Sequence, residues 1–153
     1  MRILSEQLNG RDPHEAGLAL LRKLYGAPLP EIRRTPLGKP YFVGEKMHFS
    51  ISHTKHYVFC ALGENPVGID AEELDRDIRL SLAEKFLSAG DYAQFQNAPD
   101  KHKALLTFWV LKEAAGKCTG EGLQLWPNHT DFSLNDPRVQ VLSGCLVAVI
   151  EGE

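Results

Sequence analysis

The chain has 153 residues, 43% of them hydrophobic, which suits one domain with a buried core. No stretch approaches the roughly 20 apolar residues of a membrane helix, and the first residues lack the apolar run of a signal peptide, so a cytoplasmic protein is expected. The net charge is −3, with nine Lys and Arg against six Asp and Glu in residues 1–68 and eight against fourteen in residues 69–153. This asymmetry is too mild for a nucleic-acid-binding protein, whereas a small anionic ligand could still bind the first half.

The first predicted element is a helix over Pro13–Tyr25, in which leucines recur at every third position. Asp12 is suited to cap its start, and Gly26 is suited to end it. Residues 28–44 contain four prolines and two glycines, so a loop with short extended pieces is expected there.

Three short segments with strand-like patterns follow, at residues 48–54, 57–62 and 67–72, and they predict a three-stranded meander. In the third segment, alternation places Gly68, Asp70 and Glu72 on one face. Two carboxylates therefore share a face.

The second half of the chain repeats the order of helices followed by strands. Helices are predicted at residues 80–95, with a break at Gly90, and at residues 103–117; strands are predicted near 131–134, 139–142 and 145–150. This order favours an α+β fold of two similar lobes, each a helix packed on a small antiparallel sheet. We place the lobes at about 1–70 and 71–153 of a single domain.

Several side chains in these elements could carry chemistry, although each has an ordinary alternative. Asp70 and Glu72 could hold a hard cation such as Mg²⁺, or could form a solvated strand end. On the long helix Glu113 and Lys117 lie one turn apart, as in a catalytic pair or in a common surface ion pair. Lys112 falls on the core side of that helix, from where it could snorkel to solvent or reach a phosphate.

Two further candidates lie in the first half of the chain. His53 follows Ser52 at the end of the first strand of the meander and shares a face with apolar neighbours, so it could be a core histidine. Lys39 lies in a Gly-Lys-Pro turn and could be a solvated loop lysine. Neither pattern decides between ligand binding and structure.

Taken in order, four segments resemble the surfactin-type 4′-phosphopantetheinyl transferases. They are Gly38-Lys39-Pro40, the segment 49–54 (FSISHT), Gly68-Ile69-Asp70-Ala71-Glu72, and the segment 109–117 (WVLKEAAGK). The last two complete the family patterns G-x-D-x-E and W-x-x-K-E-x-x-x-K. Segment 86–92 resembles the family's region between them, and Gly120-Glu121-Gly122-Leu123 resembles its turn after the helix.

This resemblance implies the family's two-lobed fold and transfer of 4′-phosphopantetheine from coenzyme A to a serine of an apo acyl or peptidyl carrier protein. It implies Mg²⁺ held by Asp70, Glu72 and Glu113, with Glu113 as base, directly or through a metal-bound water, and Lys117 on the diphosphate. It also implies a binding region for coenzyme A, to which we assign Lys39, Pro40, Ser52, His53 and Lys112. We expect a monomer, because one chain carries all three carboxylates.

Two other functions remain open on the sequence alone. A degenerate member could bind coenzyme A or a carrier protein without transferring anything, although the complete carboxylate set argues against it. A metal-dependent nuclease could use Asp70 and Glu72, but the common nuclease pattern has a lysine two positions after the glutamate, where this chain has Leu74.

Overall fold

A computed structural model describes residues 1–26, 28–122 and 130–153, and within them it confirms the predicted α+β class. The strands pair in three antiparallel sheets, in the orders β1-β5-β4, β2-β3 and β6-β8-β7. The elements in chain order are β1 (Arg2–Gln7), α1 (Pro13–Tyr25), β2 (Ile32–Arg34), β3 (Pro40–Phe42), β4 (His48–His53), β5 (Tyr57–Gly63), β6 (Val67–Glu73), a 3₁₀ turn (Leu80–Leu82), α2 (Ala83–Phe86), α3 (Ala89–Asn97), α4 (Lys101–Thr119), β7 (Val139–Leu142) and β8 (Cys145–Glu151).

Helix α1 packs on the first sheet through its leucine face. The Asp12 side chain caps the helix by accepting a hydrogen bond from the backbone N–H of Glu15 at 2.9 Å, and Gly26 ends it at φ 82°. Leu20, Leu21 and Leu24 are buried in the core against β4 and β5. This helix and sheet form the first of the two expected units.

Helix α4 packs on β6 and β8 and forms the second unit. Its core side carries Leu105, Phe108 and Leu111, all fully buried in a cluster with residues of β8. One face of β6, with Val67, Ile69 and Ala71, packs toward the first sheet, while the opposite face lies against α4. Strand β6 is therefore the part of the second unit that faces the first sheet.

The predicted three-stranded meander is wrong in its third strand. Strands β4 and β5 form a hairpin, but the other edge of β5 pairs with β1, where no strand was predicted. Strand β6 instead pairs with β8, with Asp70 opposite Ala148. The whole of β6 belongs to the second sheet, so the lobe boundary proposed at residue 70 falls inside a strand.

Strand β6 still contacts β4, through side chains. The hydroxyl oxygens of Ser50 and Ser52 accept hydrogen bonds from the backbone N–H groups of Ile69 at 3.0 Å and Ala71 at 3.2 Å. Buried backbone donors need partners, and these two lie on the edge of β6 that does not pair with β8. Two serines thus join the first unit to the second.

Residues 131–134 do not form the predicted strand. The Asp91 carboxylate accepts a hydrogen bond from the backbone N–H of Phe132 at 2.8 Å, and the Gln94 amide bonds both Phe132 O and Leu134 N. Side chains of α3 therefore satisfy backbone groups that a sheet partner would otherwise satisfy. The predicted strands near 139–142 and 145–150 are confirmed.

The helical break predicted at Gly90 lies earlier in the chain. Helix α2 ends at Phe86, and α3 begins after Ser88, whose hydroxyl accepts a hydrogen bond from the backbone N–H of Asp91. Ser88 caps the start of α3, whereas Gly90 lies inside α3 and does not interrupt it.

No helix in the described part of the chain has the length and apolarity needed to cross a membrane.

Candidate active site

A cavity of about 430 Å³ lies between the two units, a size typical of sites for small molecules. Four regions line it: the start of α1, the β2–β3 turn, strand β4 and the C-terminal half of α4. Of the residues predicted as functional, the cavity brings together Lys39, Pro40, His53, Glu113 and Lys117.

The close approach of β6 to α4 depends on Gly68. A Cβ atom on this residue would lie 1.9 Å from the Ala114 carbonyl oxygen and 2.5 Å from the Cys118 nitrogen. Both distances are far below van der Waals contact, so only glycine fits. The glycine of the G-x-D-x-E pattern therefore lets the carboxylate strand lie against the helix that carries Glu113.

Asp70 is the most buried of the predicted metal ligands, with 7% of its surface exposed. Its Oδ1 atom accepts hydrogen bonds from Lys117 Nζ at 2.9 Å and Ser52 Oγ at 3.2 Å. Its Oδ2 atom is buried and has no hydrogen-bond partner among the described residues. Such an oxygen is costly to bury, and it is a suitable donor for a hard cation.

The three carboxylates act on one another electrostatically. Burial raises the pKa of Glu113, and the Asp70 charge raises it further. Burial likewise raises the pKa of Glu72, with added repulsion from Asp70 and Glu113, although Arg76 opposes the rise. Mutual repulsion of this kind is expected where carboxylates share a site, and a bound cation relieves it.

Two cations engage these carboxylates in the structure. Lys117 pairs with Asp70 and also donates to the Ile69 carbonyl oxygen at 3.1 Å, while Arg76 pairs with Glu72. Across residues 1–26, 28–122 and 130–153, no three His, Cys, Asp or Glu side chains stand close enough to enclose a metal ion as they are oriented. The hard oxygen donors and the unpaired Asp70 Oδ2 nevertheless fit Mg²⁺ chemically.

Lys39 joins the β2–β3 turn to the end of α4. Its ammonium donates to the Cys118 carbonyl oxygen, and its alkyl chain lies next to Gly120. Burial lowers the pKa of Lys39 below its usual range. A cation at a helix C-terminus is favoured by the helix dipole, so this contact holds the β2–β3 turn against the end of α4.

Four of the residues predicted as functional do not line the cavity: Asp70, Glu72, Ser52 and Lys112. Ser52 is buried and bonded to Asp70 and Ala71. Lys112 is 2% exposed and neither snorkels nor enters the cavity, because its ammonium lies 3.4 Å from Asp91 Oδ2 and also donates to Thr130 O. Lys112 therefore fastens α4 to α3 in the core of the second unit.

The structure adds a cation that sequence reasoning missed. Arg34, at the end of β2, lines the cavity and donates from Nη1 to the Gly38 carbonyl oxygen at 2.8 Å. The sequence could have indicated this residue through its position four residues before the Gly-Lys-Pro turn. Strands β2 and β3 pair across that turn and bring Arg34 opposite Pro40.

Leu123, in the predicted turn after α4, lies outside the described residues.

Comparison with known protein families identifies the family to which the chain belongs. The sequence profile of the 4′-phosphopantetheinyl transferase superfamily matches residues 66–146, which is more than half of the chain and includes β6 and α4. The chain therefore belongs to the 4′-phosphopantetheinyl transferase superfamily.

The similar proteins are longer than the matched segment. The chain is 35% identical over 95 residues to 4′-phosphopantetheinyl transferase gsp of Aneurinibacillus migulanus, covering 61% of this chain and 39% of that protein. It is 38% identical over 81 residues to Sfp of Bacillus subtilis (51% and 35%) and 31% identical over 122 residues to HetI of Nostoc sp. (71% and 52%). The chain thus spans about half the length of these relatives, or less.

Proposed function

We propose that the protein transfers the 4′-phosphopantetheine group of coenzyme A to a serine hydroxyl of an apo acyl or peptidyl carrier protein. The observation that carries this proposal is one cavity lined by Glu113 and Lys117 of α4, by Lys39 of the β2–β3 turn and by His53 of β4. One carboxylate beside several basic groups suits an anionic donor that reacts at one point and is held at others.

In this reaction the serine oxygen forms a bond to the phosphorus of the phosphopantetheine group while the bond to the 3′,5′-adenosine diphosphate oxygen breaks. Glu113 accepts the serine proton. Its raised pKa favours this role, because a general base is more effective when its pKa is closer to the working pH. Lys117, one helical turn away, holds oxygens of the diphosphate.

Asp70, Glu72 and Glu113 would hold Mg²⁺, with Asp70 Oδ2 as the buried donor that lacks a partner among the described residues. When bound, Mg²⁺ neutralises charge on the diphosphate of the donor. Lys117 lines the cavity and is hydrogen-bonded to Asp70, which does not line it, so Lys117 links the cavity to this carboxylate.

Lys39, His53 and Arg34 form the basic end of the cavity and would bind the nucleotide end of coenzyme A, including its 3′-phosphate. Pro40 lines the same wall beside Lys39. Ser52 and Lys112 contribute indirectly in this proposal, Ser52 by holding Asp70 and Lys112 by holding α4 on α3.

The direct test is to mix the protein with coenzyme A, Mg²⁺ and an apo carrier protein and to weigh the carrier by mass spectrometry. A mass increase equal to one phosphopantetheine group is expected, and EDTA should prevent it. The assay uses a panel of carriers from fatty-acid, polyketide and peptide synthesis. If the protein binds coenzyme A or a carrier but changes the mass of none of them, it is a binding protein and not a transferase.

Donor recognition gives the first prediction. Lys39→Ala and His53→Ala should each weaken binding of coenzyme A by about tenfold or more, because a charge-assisted hydrogen bond contributes roughly 1.5 to 3 kcal/mol. Binding of dephospho-coenzyme A should change much less. Calorimetric titration of both nucleotides measures the difference.

The matched control for this titration is Lys46→Ala, which removes an exposed lysine of the same half of the chain that does not line the cavity. It should leave both affinities unchanged. An equal loss for the two nucleotides in the Lys39 and His53 variants would contradict recognition of the 3′-phosphate.

The oligomeric state gives the second prediction. A monomer is expected to be active, because one chain carries Asp70 and Glu72 on β6 and Glu113 on α4, and the charges of these groups act on one another. Light scattering of dilute protein with a parallel transfer assay tests this. Activity confined to a larger assembly would contradict it.

A further inference from the structure

Arg76 lies in the turn after β6 and is fixed through its backbone at two points. Its N–H donates to the Glu73 carbonyl oxygen at 2.9 Å, and its own carbonyl oxygen lies 2.6 Å from Nε2 of His102, in the first turn of α4. The backbone of Arg76 is therefore tied to both elements that carry the predicted metal ligands.

The guanidinium of Arg76 has two partners of different kinds. It forms an ion pair with Glu72, and it stands over the indole ring of Trp109 at 5.3 Å from the ring centroid. Trp109 is itself held edge-on against Phe86, with ring centroids 5.3 Å apart. A guanidinium stacks well on an indole face, so Trp109 gives Arg76 a second partner besides Glu72. Trp109 is also a side-chain hydrogen-bond partner of Glu72.

The positive charge of Arg76 acts on two of the three carboxylates, Glu72 and Glu113. It favours the charged forms of Glu72 and Glu113, opposing the effect that burial has on each pKa. Arg76 thus supplies positive charge where the proposed Mg²⁺ would also supply it. Two cations at one carboxylate repel each other and compete for its oxygens.

We propose that Arg76 is the resident counterion of Glu72. The guanidinium keeps this carboxylate in the site and releases it to the divalent cation, while the guanidinium itself stays on Trp109. The inference rests on the metal site of the proposed function. It makes Arg76 a residue that sets the affinity for the metal ion through its hold on Glu72.

The test is to titrate MgCl₂ alone into wild-type protein, Arg76→Ala and Arg79→Ala at constant ionic strength, and to follow the heat of binding. The fluorescence of Trp109 gives a second readout in proteins that also carry Trp126→Phe. Arg79 is an exposed arginine three residues further on, so its removal changes the net charge equally without removing the Glu72 ion pair.

The affinity for Mg²⁺ is expected to rise about two- to fivefold in Arg76→Ala, the range that corresponds to the strength of a partly exposed ion pair. It should be unchanged in Arg79→Ala, because Arg79 is exposed to solvent and salt and does not act on the pKa of Glu72 or Glu113. An unchanged or lowered affinity in Arg76→Ala, in protein that still binds Mg²⁺, would overturn the inference and leave the transferase proposal standing.

Thermal melts separate competition from a purely structural role. Arg76→Ala should melt at a lower temperature than wild type without Mg²⁺, and this difference should shrink in saturating Mg²⁺. A difference of the same size in both conditions would identify Arg76 as a structural residue and overturn the inference. Absence of Mg²⁺ binding in wild type and both variants would refute the metal site of the proposed function, and the inference with it.

Discussion

Replacing Glu113 with glutamine is expected to slow modification of a carrier protein by about 100-fold or more, because the amide cannot accept the serine proton. Glutamine keeps the shape of the side chain, and Glu113 lines the cavity at the helix position one turn before Lys117. The measurement is the rate of carrier mass increase under saturating coenzyme A and Mg²⁺.

The same substitution should not lower stability. Burial and the Asp70 charge raise the pKa of Glu113 in the folded protein above its unfolded value, so the folded state favours the protonated form. Above both pKa values the ionised side chain therefore costs stability, and this cost grows as the pH rises from the unfolded pKa to the folded pKa. A neutral amide removes it, so the melting temperature at pH 7 to 8 should be equal or higher.

Glu64→Gln is the matched control, since Glu64 is an exposed glutamate in the turn between β5 and β6. It should retain the wild-type rate and the wild-type melting temperature. Full transfer activity in Glu113→Gln would remove Glu113 as the base. A large loss of stability in that variant would show that its charge supports the fold instead.

The sequence predicted the residues whose geometry is local. Alternation along a strand placed Asp70 and Glu72 on one face of β6, opposite Ile69 and Ala71. The helical repeat placed Glu113 and Lys117 on one stripe of α4, and both line the cavity. The helical angle of Lys112 likewise predicted its place on the core side. These features need no knowledge of which elements pair.

The features that depend on distant pairing could not be predicted in this way. Strand β6 pairs with β8, so Val67 lies opposite Glu151, and neither strand's own pattern specifies the other. The partner of Lys112, Asp91, lies on another helix, which is why a phosphate-binding role seemed open from the sequence. Arg34 reaches the cavity only because β2 and β3 pair across the Gly-Lys-Pro turn.

Replacing Gly68 with alanine is expected to destabilise the protein by about 3 kcal/mol or more, at or above the usual upper range for overpacking a core. The new methyl group would collide with backbone atoms of α4, at Ala114 and Cys118, and backbone cannot move aside as a flexible side chain can. For a chain of this size the melting temperature should fall by about 6 to 12 °C, which calorimetry or circular dichroism measures.

Transfer activity of Gly68→Ala should fall more than the loss of folded protein explains, because any shift between β6 and α4 also separates Asp70 from Glu113 and Lys117. Displacements of about 1 Å at a reacting centre can cost about 100-fold in rate. Gly63→Ala is the control, since its added methyl group would meet no atom closer than 3.5 Å, an ordinary contact. Its stability and activity should remain near those of wild type. A Gly68→Ala protein as stable as this control would show that β6 and α4 can separate freely, and the glycine of the G-x-D-x-E pattern would then need another explanation.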